Sequence, residues 1–418
     1  MIRCQIKFFA AIFFLVVNSI VSAEILIRDA TIHASNYSVV LKNQDIRIIG
    51  DRIAEIGVYL ETSEANPISI NAKGRYVTPS LFAGLTSIGL NEVNLEETTV
   101  DHILKSSPYG RLHPEFDVTV AYNPNSTSVP ITRIEGHGFT LLEARSGYSF
   151  IAGQGQTVML DGQYDSFVGK KVLFVNIGSQ ASELSGSSRA LQWMILEQAI
   201  QEARDRPRNG EQRLLSQRGR GSLNYLLKEG MIIFSVNRAS DILQCIKFIN
   251  RHAIDAVIHG GAEAWMVADK LAKAEIPVIL NSLNNLPYSF DEIGARLDNA
   301  ALLDEAGVKV IFSSGETQNA RKNRQLAGNA VANGLSQSSA LAALTINPAI
   351  QLGLPSQEIG IGNIANLVIW SGDPLEITTL ADQVILSGKI MPMISRQTRL
   401  LQRYLPQNTK MPRAYIVN

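Results

Sequence analysis

Six histidines and two cysteines are the residues of this 418-residue chain best suited to metal or nucleophilic chemistry. The histidines are His33, His102, His113, His137, His252 and His259, and no two are spaced as His-x-His or His-x3-His. Those spacings matter because they aim two imidazoles from one strand or helix face at one ion. A histidine without such a neighbour is more often a satisfied structural residue than a ligand. Cys4 lacks the apolar and small residues that should precede a lipidation site. Cys245 sits among Ile242, Leu243, Ile246 and Ile249 in a helical pattern over 240–250. With no histidine beside it in that motif, it is expected to be a buried structural thiol. Gly153-Gln154-Gly155 opens like a dinucleotide fingerprint, but a strand-like run (Thr157 to Leu160) follows and the third glycine is missing, so a plain turn is expected. The six arginines between Arg204 and Arg220 are diluted by Asp205, Pro207 and Glu211, and read as a solvated loop rather than a nucleic-acid patch.

Composition narrows the function classes. Lys+Arg and Asp+Glu are 38 each, so no global field recruits nucleic acid or an anionic surface. Hydrophobic residues at 45% and charged residues at 18% describe a globular chain, long enough for one large domain and a smaller companion. Arg3 and Lys7, the apolar run Phe8 to Val17 and the small-residue step Val21-Ser22-Ala23 have the layout of a signal peptide over 1–23. An uncleaved anchor is the competing reading, and the run is too short to span a bilayer comfortably. Export to the periplasm, with no permanent membrane span, is the expectation. Loss of the leader would leave Cys245 alone, hence no internal disulfide.

The elements that must position any site come in two kinds. Ile25 to Ile27, Asp45 to Ile49 and Arg52 to Ile56 read as strands, the last two joined through Gly50-Asp51 as a hairpin. Ile364 to Trp370 and Val384 to Leu386 are strands near the other end. Between them, apolar strands alternate with amphipathic stretches, the rhythm of parallel β/α units. The strands are Phe139–Glu143, Lys171–Val175, Met231–Phe234, Ala256–Ile258, Val278–Leu280 and Val308–Phe312, and a helix is expected over 188–206, ending at Pro207. Eight such units would close a barrel whose working face lies at the C-terminal strand ends. About seven can be counted.

The stretch Val77-Thr78-Pro79-Ser80-Leu81-Phe82-Ala83-Gly84-Leu85-Thr86-Ser87 resembles the first barrel strand of the amidohydrolase superfamily, especially its imidazolonepropionase-related branch. Asn329 to Leu335, Ala340 to Thr345, Asn347-Pro348-Ala349 and Gly360 to Trp370 resemble the segments that follow the barrel in that family. The resemblance implies an α/β fold: a (β/α)8 TIM-like barrel over 77–355 with a small β-sandwich built from 24–76 and 356–395. A C-terminal tail over 396–418 is then left. It also implies hydrolysis of carbon–nitrogen bonds other than peptide bonds, with a metal held at the strand ends.

At those ends the sequence departs from the family. The two histidine slots of the first strand fall on Leu85 and Ser87, its aspartate slot on Ala83, and a later histidine slot on Ser235. His259-Gly260 is the one ligand position retained, and Glu316 lies one residue from where the last-strand aspartate is expected. Asn363 and Asn366 stand where the closing motif has lysine and aspartate. The site candidates that remain are His259 for metal, Glu316 and Asn237 for catalysis, and Arg238 and Glu263 for substrate. Arg238 and Glu263 are equally readable as a structural ion pair. A zinc-bound water ionises near ~7 against ~15.7 for free water, so its absence forfeits on the order of 12 kcal/mol in forming hydroxide. No cofactor is therefore expected, zinc or iron entering only if a reduced site on His259 and Glu316 works. The chain is expected to be inactive or weak, and to act as a subunit beside an active relative or as a small-molecule binding module.

Overall fold

The computed structural model describes residues 24–34, 39–62, 67–105, 112–179, 181–182, 184, 188–205 and 213–405. The expected leader, Cys4 and the end of the tail beyond 405 lie outside them. Strands β1 (Glu24–Ala34), β2 (Val39–Ile49), β3 (Arg52–Gly57), β4 (Ile68–Asn71) and β5 (Tyr76–Pro79) build one side of the molecule. The barrel strands are β6 (Leu81–Thr86), β8 (His137–Leu142), β10 (Ile151–Met159), β11 (Phe167–Asn176), β12 (Met231–Val236), β13 (Ala256–Gly260), β14 (Val278–Leu280) and β15 (Val310–Phe312). The short β7 (Ile103–Leu104) and β9 (Arg145–Ser146) pair with each other outside that wall. β16 (Leu367–Trp370), β17 (Ala381–Leu386) and β18 (Lys389–Ile390) return to the first side.

The two ends of the chain share one eight-stranded sheet, ordered β18-β17-β16-β5-β1-β2-β3 with β4 beside β1. Alternation drives it: in β2, Ile46 and Ile48 are buried while Arg47 between them is not. Ile25, Ile27, Ile46, Ile48, Ile53, Val77, Leu367, Ile369 and Ile385 form a core separate from the barrel's. The β2–β3 hairpin turns at Gly50, whose φ of 66° suits glycine. β5 belongs to this sheet through Pro79, so the composite unit runs past its expected end at 76. The stretch singled out above is thus two strands in two sheets, with Ser80 between them donating its amide to the Asn366 carbonyl (2.9 Å).

The barrel sheet runs β15-β14-β13-β12-β11-β10-β8-β6. Its parallel strands are near-continuous apolar runs, as strands covered on both faces must be. β10 is the exception, antiparallel to both β8 and β11. Only residues 160–166 link β10 to β11, too few for a crossover helix, so the chain can return only as a hairpin. The wall therefore has eight strands, seven in parallel and one reversed.

Three expectations change in detail. Gly153 and Gly155 lie inside β10 rather than in a turn: a Cβ at Gly155 would stand 1.9 Å from the Leu142 carbonyl oxygen, so the pair serves close strand approach. The arginine-rich stretch is helical at both described ends, in Arg189–Arg204 and Gln217–Glu229, while 206–212 lie outside the described residues. The tail begins as a helix, Arg396–Tyr404. Cys245 is fully buried in the helix Ala239–His252, and burial pushes its thiol pKa up. Among the described residues no helix is long and apolar enough to cross a membrane.

Candidate functional site

The C-terminal ends of the parallel strands meet at one mouth, and the seam between the first and last strands lies there. No backbone ladder joins β15 to β6. Instead Ser313, the residue after β15, accepts the Leu85 amide at Oγ (2.9 Å) and the Gly315 amide (3.2 Å). Gly84 permits this approach, since a Cβ there would sit 2.6 Å from Ser313 Oγ. The position closing the last strand is therefore Ser313. Glu316 lies farther out on an exposed loop, bonded to Gln318 and Asn319. In sequence, a loop residue and a strand-end residue look alike.

The remaining slots are equally committed. Leu85 is fully buried in the barrel core. The Ser87 amide and hydroxyl both meet Thr317 Oγ1 at 2.8 Å. Ser235 Oγ lies 3.0 Å from His259 Nδ1. Burial lowers the pKa of His259, with nearby Glu143 opposing and Arg145 adding to the effect, so the ring is neutral at pH 7. The charged neighbours of His259 are Glu143 and Arg145, and the structure does not bring Glu316 to it.

Glu143 and His102 escaped the sequence reading. Glu143 follows β8 at its C-terminal end, and its Oε2 accepts Arg145 Nε at 2.9 Å. Arg145 also donates to the Gly315 carbonyl (2.8 Å), tying β9 to the last barrel loop. His102 is buried, its Nδ1 has no hydrogen-bond partner, and burial together with Arg145 lowers its pKa to about 4. Ser87, His102, Glu143, Arg145, Glu316 and Thr317 line a polar cleft of about 190 Å3. A carboxylate closing a barrel strand was the available signal for Glu143. His102 had none. His137 lies at the opposite end, beginning β8 beside the Phe82 carbonyl, and His113 stacks edge-on with Tyr148 outside the cleft.

The other half of the mouth is roofed. The loop 281–298, after β14, is fastened by two buried carboxylates. Asp291 Oδ2 accepts the Ser179 amide and hydroxyl (both 2.7 Å), and its Oδ1 pairs with Arg189, which also reaches Asp241 (2.9 Å). Burial works to raise the Asp291 pKa, but Ser179, Arg189 and Arg238 outweigh it and hold the carboxyl below its usual value. Glu292 accepts Asn237 Nδ2 (2.9 Å). Glu263 accepts the amides of Ala239 (3.0 Å) and Gly294 (3.1 Å). Asn237 and Glu263 are therefore fasteners of the roof rather than groups facing a substrate. No Arg238–Glu263 ion pair occurs among the described residues, because Glu263 is occupied by backbone amides.

Residues 231–394 match the model of the amidohydrolase family. The matched segment runs from the start of β12 to just past β18. In fold it is similar to the amidohydrolase from Thermotoga maritima MSB8, at 20% identity and a TM-score of 0.76 over 88% of this chain and 99% of that one. It is also similar to molinate hydrolase (14%, 0.55, 95% and 99%) and to a triazine hydrolase from Arthobacter aurescens (14%, 0.54, 91% and 98%). No curated protein matches the chain.

A hydrolytic metal of the kind the resemblance implies needs three protein ligands and an open position. This mouth offers an aliphatic side chain, hydroxyls already bonded within the protein, and one imidazole engaged with a serine. Among the described residues, no group of three or more His, Cys, Asp or Glu stands close enough to hold an ion. The residues present do not fit the metal.

Proposed function

We propose that this chain is a non-catalytic member of the superfamily, keeping a scaffold for hydrolysis of carbon–nitrogen, non-peptide bonds without its metal–water machinery. The Ser313–Leu85 contact carries the proposal: the place that should close a metal site is a hydroxyl bonded to the backbone of the opposing strand. The test is a hydrolysis screen over amides, lactams, ureides and imines, with zinc, iron or manganese added. No turnover above the buffer control is expected. Metal-dependent turnover that His259→Ala abolishes would instead establish a reduced-site hydrolase, one drawing on Glu143 as the carboxylate near His259.

An exposed surface favours one role for such a scaffold, a subunit pairing with an active relative. The roof loop is pinned from below yet presents Leu286, Tyr288, Phe290 and Ile293 outward, Phe290 being 87% exposed and Tyr288 83%. A cluster of this size on a folded protein marks an interaction surface more often than chance exposure. Export through the leader expected at 1–23 would place the pairing in the periplasm. Co-purification from periplasm should recover a second amidohydrolase with the wild type, and the double variant Tyr288→Glu, Phe290→Glu should lose it. A monomer in both cases would contradict the pairing.

A further inference from the structure

The last described helix, Arg396–Tyr404, buries none of its residues. It is nonetheless a defined element. Ser395 Oγ accepts the Thr398 amide (3.3 Å) while Thr398 Oγ1 accepts the Ser395 amide (2.8 Å), a reciprocal cap that fixes its start. At 100° per residue, Leu400, Tyr404, Leu401 and Leu405 fall on one arc, and Arg399, Arg403 and Arg396 fall on the arc beside it. All four apolar side chains are open to solvent, Leu401 at 60% and Tyr404 at 68%. None of the three arginines forms an ion pair among the described residues; Arg403 lies over the Tyr404 ring, 5.6 Å from its centre.

Charge sharpens the picture. From Arg396 to Asn418 the sequence carries Arg396, Arg399, Arg403, Lys410 and Arg413 and no Asp or Glu. The whole chain is balanced, so everything before Arg396 is net acidic. The last 23 residues of the sequence thus carry five cations, three of them beside the apolar stripe, and the rest of the sequence has the opposite net sign.

We propose that this C-terminal helix binds an anionic lipid surface. It would lie in the headgroup plane with Leu400, Leu401, Tyr404 and Leu405 turned inward and the arginines at phosphate level. Arginines bordering the apolar arc suit this geometry, because their stems run along apolar surface while the guanidinium reaches the phosphates. A protein partner fits less well. Nine helical residues span about 14 Å, too little face to supply the ~800 Å2 per partner of a standard interface. A lipid surface sets no such minimum, since insertion and phosphate attraction add residue by residue. One short helix gives a reversible, peripheral attachment.

The test is co-sedimentation of the full chain with vesicles of phosphatidylcholine alone or mixed with phosphatidylglycerol, at low and high salt. Two variants accompany it: Arg396→Gln, Arg399→Gln, Arg403→Gln, and Leu400→Ser, Leu401→Ser. Both should keep the wild-type melting temperature, as no substituted residue is buried. The wild type is expected to bind the phosphatidylglycerol vesicles on the order of 100-fold more tightly than the arginine variant, with the difference shrinking at high salt. The leucine variant should bind weakly to both lipids. The proposal is overturned if wild type and arginine variant bind alike, if the two lipids are bound alike, or if the leucines instead sustain a dimer with no vesicle binding.

Discussion

Lowering the pH from 7 to 5 is expected to remove about 4 kcal/mol of folding stability, through two buried histidines. Burial lowers both His102 and His137 to about 4 in the folded chain, with Arg145 adding to the first and Arg324 to the second. The unfolded value is 6.5. A folded pKa below the unfolded one means that the unfolded chain takes up protons first as the pH falls. The stability is therefore whole above about 6.5 and is lost progressively toward about 4, at roughly 2 kcal/mol per imidazole by pH 5. Denaturant unfolding at pH 7 and pH 5 measures this directly. His102→Gln should remove about half of the difference, because its amide stays neutral throughout. A wild type equally stable at both values would contradict the buried, neutral state of these rings.

Arg189→Met is expected to cost about 2–4 kcal/mol and to loosen the roof over the mouth. Arg189 stands between Asp241 and Asp291, both nearly buried, and its loss leaves two carboxylates facing each other without a counter-ion. Arg189 itself is about one-third exposed, so water softens the effect and places it below that of a fully buried pair. Arg189→Lys should recover only part, since a point charge cannot span two carboxylates as a planar fork does. Hydrogen exchange should accelerate in residues 281–298 before it does in the barrel strands. Exchange there that matches the wild type would show that the roof does not depend on this triad.

The elements legible in the sequence were those written in local periodicity. The parallel strands, the buried face of the helix carrying Cys245 and the strands at both chain ends follow from the spacing of apolar residues, while the joining of those two ends into one unit came from the family resemblance. The reversal of β10 was not legible, because a strand's direction depends on the length of the link after it rather than on its own pattern. Within the site, Leu85, Ser87 and Ser235 could be placed from the first-strand and middle-strand resemblance. Their partners could not: Thr317 lies 230 residues from Ser87, and no spacing rule reaches that far. Asn237 and Glu263 looked like mouth residues because they follow strand ends, and they do. What sequence could not show is that loop 281–298 folds over them and takes their hydrogen-bonding capacity.

Elemental analysis of the purified full chain bears most directly on the central claim, that the strand ends no longer form a metal site. After growth with zinc and iron and passage over a mild chelator, the account predicts metal well below one equivalent per chain. About one equivalent of zinc or iron that survives the chelator and is lost in His259→Ala would contradict it.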